Sequence, residues 1–205
     1  MIQKLGTEIR KQQIAQAALS LVSSQGLKGL SIAGIAREVG LVPSAIYRHF
    51  KNKEEVIDAI LDLIRERLLA NVEVVTAETG DVLERLRRLL RLHIQLIRDN
   101  QGILRAVFSE EVMNGSPERK ARVCNTVETY LRAVAEIVRR GLEEGVIRAD
   151  LEADSVSVAF LGMIQPAAIL WHLSEGRFDL TSHAERAWEI FLGGILPKNT
   201  TIEPG

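Results

Sequence analysis

The chain has 205 residues, 46% hydrophobic and 26% charged, with a formal net charge of −1 at pH 7. This balance allows one generous domain or two smaller ones around a real core, and it excludes a disordered or fibrous chain. The one cysteine, Cys124, excludes an intrachain disulfide and points to the reducing cytoplasm.

The near-zero net charge hides an asymmetry. Residues 1–53 carry eight basic side chains against two acidic ones, +6, and the remainder carries −7. A basic head on an acidic body suggests that one part meets a polyanion and the other does not. The N-terminal "MIQKLGTEIRKQQ" lacks the apolar stretch and small-residue cleavage site of a signal peptide. The most apolar run, Val156 to Leu173, is interrupted by Ser157, Gln165, Pro166 and His172. It is expected as a buried helix, with no membrane partner.

Helix formers dominate, aromatics are 4%, and no segment alternates as a half-buried strand does, so the expected class is all-α. The first helix is predicted from Thr7 to Ser24, with Ile14, Ala17, Ala18, Leu21 and Val22 on one face and Gly26 as its stop. Ser31 stands where an N-cap hydroxyl is wanted, ahead of "IAGIAREV", which ends at Gly40. Pro43 opens a third helix, "PSAIYRHF", because a first-turn N–H is unpaired anyway. Short helices joined by a four-residue, glycine-containing turn form a helix-turn-helix signature. Ala36 is small at the helix crossing, and Gly40 permits the positive φ of the turn.

Longer helices follow. One is predicted from Lys53 to Val75, and another from Gly80–Asp81 to Asn100 with a seam of Leu83, Leu86, Leu90, His93 and Ile97. A shorter helix is expected over Gly102 to Met113, then the loop "NGSPERK" and a helix with a stripe from Val123 to Val138. Ser155 to Glu175 should be kinked at Pro166. The last helix spans Ser182 to Ile195, and "PKNTTIEPG" is expected to fray.

Spacing assigns faces on the third helix. Ile46 and Phe50, four apart, should enter the core. Its N-terminus would face the major groove, making Pro43, Ser44 and Ala45 the base-edge group. Tyr47, Arg48, His49, Lys51 and Lys53 can reach phosphates by hydrogen bonds or charge, and Lys53 opens a helix whose amides favour an anion. Ser31 could use its helix start in the same way. Two alternatives stay open: Tyr47 packs in the core, and His49 is a solvated surface residue.

The stretches "IAQAALSLVSSQGLKGLSIAGIAREVGL" and "SAIYRHFKNKEEVIDAIL" resemble the DNA-binding domain of the TetR family of bacterial transcriptional regulators. The spacing of Tyr47, Phe50 and Lys53 before an acidic residue is especially similar. The resemblance implies an N-terminal three-helix DNA-binding domain, set here at residues 1–53, and a helical ligand-binding and dimerisation domain at 54–205. It further implies a homodimeric repressor of neighbouring genes, released from double-stranded DNA by a small-molecule effector. Carried over by position, Ser31, Tyr47, His49 and Lys53 match phosphate contacts, and Ala33, Pro43, Ser44 and Ala45 match base readers. Two departures stand out. Val42 replaces a common capping hydroxyl, and Ala33 and Ala45 offer only apolar contacts, for instance to a thymine methyl. Specificity would then rest on Ser44, Arg48 and DNA shape.

In such a body the last two helices are expected to dimerise. Leu161, Ile164, Ala168 and Trp171 on one, with Ala184, Trp188 and Phe191 on the other, are the candidate interface, a purely intrachain core being the alternative. A pocket among the middle helices would draw on His93, Phe108, Met113, Cys124, Tyr130, Phe160 and Met163 and suit a hydrophobic or amphipathic ligand. No cofactor or metal is expected, because the four histidines are scattered and lack ligand spacing. Cys124, near Lys120 and Arg122, is a weak candidate for redox sensing. Two other classes remain: a helical dimerisation protein without operator binding, and a small helical enzyme using His93 or His172. No phosphate loop or nucleophile elbow supports the enzyme.

Overall fold

Glycine and serine punctuate the first third of the chain as local chemistry requires. In the computed structural model, which describes residues 2–77 and 80–197, α1 (Ile2–Gly29) loses its helical path at Gly26, whose φ of 68° and ψ of 175° break the run. Ser31 caps α2 (Ile32–Val39) by accepting from the Gly34 N–H at 3.1 Å. Gly40, with φ of 73°, ends α2 in a Schellman arrangement: the Leu41 N–H donates to Ala36 O and the Gly40 N–H to Arg37 O. Pro43 opens α3 (Pro43–Ile46), and Val42 at its N-cap provides no side-chain bond.

The remaining helices are α4 (Lys53–Ala77), α5 (Val82–Asp99), α6 (Gly102–Val107), α7 (Glu110–Met113), α8 (Pro117–Glu143), α9 (Ala153–Leu173) and α10 (Leu180–Ile195). Among the described residues there is no strand, so the all-α class holds.

The local signals are modified in four places. The α-helical part of α3 stops at Ile46, and turns bonded back to Ile46 carry the chain to Phe50. The single helix expected over Gly102 to Met113 is two, because Ser109 turns its hydroxyl to the Val112 N–H and starts a new helix. α9 runs from Ala153, two residues earlier than expected, with Pro166 inside it. On α5 the buried seam takes in Val82, Leu89 and Ile94, while Leu83 is half-buried. The terminal stretch expected to fray lies, from Asn199's neighbour at 198 onward, outside the described residues.

Contacts divide the chain into two compact units, Met1–Leu69 with Leu96–Val127, and Ala70–Gln95 with Glu128–Gly205. The division falls inside α4, α5 and α8. In the first unit α1 supplies Ile14, Ala18, Leu19 and Val22, α2 Ile35 and Ala36, and α4 Val56, Ile57 and Ile60, with Ile46 and Phe50 between them. Each fully buried aliphatic side chain contributes about 1.5–3 kcal/mol. α6 approaches the backbone of α1: a Cβ at Gly102 would lie 2.3 Å from Leu19 O, so only glycine fits. Beside it Asn100 accepts from Arg67 Nη1 at 2.7 Å and donates to Leu96 O at 3.0 Å.

In the second unit α9 packs on α10, with Phe160 edge-on to Phe191 at 5.9 Å and Trp188 5.7 Å from Phe191. Arg91 and Arg87 hydrogen-bond Glu185 and hold its carboxyl down to about 2.

Candidate nucleic-acid interface

The tip formed by α2 and α3 combines a buried apolar side with an exposed polar one. Ile46 and Phe50 are buried, fixing α3 from beneath. Ser31, Ala33, Pro43, Ser44, Arg48 and Lys51 are exposed, and Ala45 is half-buried. Tyr47 is 55% exposed, so its ring is outside the core and the packing alternative does not apply. Its hydroxyl is free to meet solvent or a ligand.

His49 is half-buried and turns toward a cleft of about 330 Å³ that it shares with Phe50, Glu55, Asp58 and Asp62. Its Nδ1 has no hydrogen-bond partner among the described residues. Lys51 forms a loose ion pair with Glu55 at 3.8 Å, and Lys53 Nζ donates to Lys28 O at 3.4 Å. Asn52 caps the start of α4 by accepting from the Glu55 N–H at 2.9 Å, and Glu55 accepts from the Lys51 N–H at 2.8 Å. The first turn of α4 is therefore preformed, with the partial positive charge of a helix N-terminus beside a lysine.

The residues considered for a ligand pocket separate. His93, Tyr130, Phe160 and Met163 belong to the second unit, and Phe108, Met113 and Cys124 to the first. His93 Nδ1 lies 3.0 Å from Tyr130 Oη, the rings edge to face at 5.3 Å, both buried. Burial pushes His93 down to about 4 and Tyr130 well above the usual phenol range. Met113 packs against the core of the first unit, whereas Phe108 and Cys124 are exposed.

On α9 and α10, Leu161, Ile164, Ala168, Ala184, Trp188 and Phe191 are buried within the single chain, and Trp171 is half-buried. The exposed large apolar side chains are others: Val158, Ile169, Leu170 and Leu173 on α9 and Ile190 on α10, the last 78% exposed. Val158, Gly162, Ile169 and Leu173 follow helical spacing on one face of α9, and an added Cβ at Gly162 or Gly193 would meet nothing within 4 Å. Periodicity could not have chosen this face, because α9 is apolar on nearly every side.

A helix-turn-helix with an exposed, partly basic tip joined to an all-helical body agrees with comparison to known proteins. Residues 79–195 match the "Tetracyclin repressor-like, C-terminal domain", and residues 14–60 match "Bacterial regulatory proteins, tetR family". The chain belongs to the TetR family. It is a DNA-binding transcriptional regulator.

Among TetR-like relatives, the nucleoid occlusion factor SlmA of Vibrio vulnificus is 26% identical over 188 residues, spanning 91% of this chain and 95% of that protein. FadR of Bacillus subtilis, solved with stearoyl-CoA, is 22% identical with a TM-score of 0.74, covering 89% of this chain and 98% of that one. A regulator from Saccharomonospora viridis, solved with choline, is 21% identical with a TM-score of 0.78, covering 93% and 100%. At such identities the solved structures speak for a shared fold.

Proposed function

We propose that the protein is a cytoplasmic, homodimeric TetR-family repressor, non-enzymatic, that leaves its operator when a small hydrophobic or amphipathic effector binds. Residues 1–53 carry the DNA contacts in this reading, and residues 54–205 the effector and dimer contacts. The observation that carries it is the α2–α3 tip. Short polar and basic side chains stand outward there, while Ile46 and Phe50 lock the helix behind them. Pro43, Ser44, Ala33 and Ala45 are assigned to base edges, and Ser31, Tyr47, Arg48, Lys51 and Lys53 to phosphates. His49 is assigned a phosphate contact that requires its ring to swing out of the cleft.

The exposed apolar face of α9 and α10 supports dimerisation, because an uncovered stripe of this kind is unfavourable in water. Two copies related by a two-fold axis would cover it with the same surface. Gly162 and Gly193 would let the partner's backbone approach closely. For the effector, the buried His93–Tyr130 pair is assigned as the polar anchor, which suits an amphipathic molecule with one hydrogen-bonding group. Related proteins were solved with ligands as unlike as stearoyl-CoA and choline, so the body's own lining must set the choice.

The test is selection of genomic fragments retained by the purified protein. A recurring near-palindrome with half-sites about one helical turn apart, or a multiple of it, is expected. A folded dimer that enriches no site at any salt concentration contradicts the reading.

A further inference from the structure

The ion pairs that hold α4 come from a helix far away in the sequence. Arg119, in the first turn of α8, has a side chain only 11% exposed. Its Nη1 donates to Glu54 Oε2 at 2.5 Å, its Nε to Asp58 Oδ1 at 2.8 Å, and its Nη2 to the Glu54 carbonyl oxygen at 3.1 Å. Arg122, one turn on, donates to Asp62 Oδ1 at 2.6 Å. A planar guanidinium spread over two carboxylates and a backbone carbonyl fixes direction as well as distance, which a single ammonium does not.

Asn52 and Glu55 give the first turn of α4 its shape, but they are part of the same stretch and do not anchor it. The external anchors described for this turn are Arg119 on Glu54 and the longer Lys53–Lys28 bond. Glu54 adjoins Lys53, so a released Glu54 carboxylate would stand beside any phosphate that Lys53 meets.

We propose that Arg119 is a positioning residue for DNA binding: it locks the first turn of α4 so that Lys53 and the helix N-terminus present themselves to a phosphate, and it holds the Glu54 carboxylate away from that phosphate. The proposal rests on the DNA-binding reading above. α8 is unbroken from Pro117 to Glu143 and bears Tyr130 about three turns beyond Arg119. The helix that carries half of the buried polar pair thus also carries the clamp.

The test measures affinity of the full-length protein for a fluorescent mixed-sequence duplex over a range of salt. Lys53→Gln should lower the slope of log affinity against log salt by about 0.9 per bound subunit. The pair Glu54→Gln with Arg119→Gln leaves net charge unchanged, and it should lower the slope by a similar amount at unchanged helix content. Adding Lys53→Gln to that pair should then change little. Arg119→Lys keeps the charge without the fork and should show part of the loss, which serves if the double variant does not fold. Wild-type slope and affinity in the double variant, or in Arg119→Lys, would overturn the clamp. A wild-type protein with no salt-dependent affinity would overturn the DNA-binding reading itself, and the clamp with it.

Discussion

At the α2–α3 tip the exposed polar and basic side chains include Ser31, Ser44, Tyr47 and Arg48, with Val42 beside them, whereas along α9 and α10 the large exposed apolar ones are Val158, Ile169, Leu170, Leu173 and Ile190. The first set is short, polar or basic and stays hydrated without cost until a polyanion replaces the water. The second is aliphatic and gains only by being covered with another apolar surface. One chain therefore presents two surfaces with opposite demands on their partners. Salt should weaken the first association and leave the second nearly untouched.

The largest effect should come from breaking the apolar surface. Ile190→Arg places a charge on the exposed stripe while leaving the chain's own core intact, and sedimentation should find a folded monomer. A dimer of wild-type strength would move the interface elsewhere. Next is Gly102→Ala, whose methyl would press on Leu19 O. Chemical denaturation should show a loss of about 3 kcal/mol, the upper end for overpacking.

The buried pair gives a third handle. His93 lies at about 4 in the folded chain, below its ordinary 6.5, so its contribution is full above pH 6.5 and is lost as pH falls toward 4. Between pH 7 and pH 5 the wild type should lose about 2 kcal/mol that a His93→Gln variant does not. Glu185, held near 2 by Arg91 and Arg87, is still ionised at pH 5 and does not blur the comparison. Equal losses in both proteins would assign the acid sensitivity to another group.

The smallest effects separate positioning from reading at the tip. Tyr47→Ala should weaken binding to every duplex alike, by about 1 kcal/mol, whereas Ser44→Ala should change the order of preference among sites. Uniform weakening by Ser44→Ala would remove it from the base-reading set.

How far the chain could be read follows the same division. α2 was legible to the residue because a cap hydroxyl and a left-handed glycine are local signals, and Ser31 and Gly40 supply both. The exposed face of α3 followed from Ile46 and Phe50 at four-residue spacing. The stop of α3 at Ile46 was not legible, since the sequence through Phe50 keeps a helical pattern. On α9 an apolar residue at almost every position leaves periodicity without a phase, so the buried and free faces were decided by packing against α10. Arg119 and Glu54 stand 65 residues apart, and nothing local to either names the other.

The uncovered stripe on α9 has a further consequence, for the protein's life before it finds a partner. α9 is long and apolar enough to cross a membrane by length and composition, and a minority of its most apolar stretch is covered within one chain. If that stripe is the dimer surface proposed above, a newly made copy exposes it until a second copy arrives, and the waiting time shortens as copies accumulate. Thermal unfolding should accordingly shift upward with protein concentration. A cell holding only a few copies would keep a larger share of them unpaired, which makes abundance itself a setting of the switch.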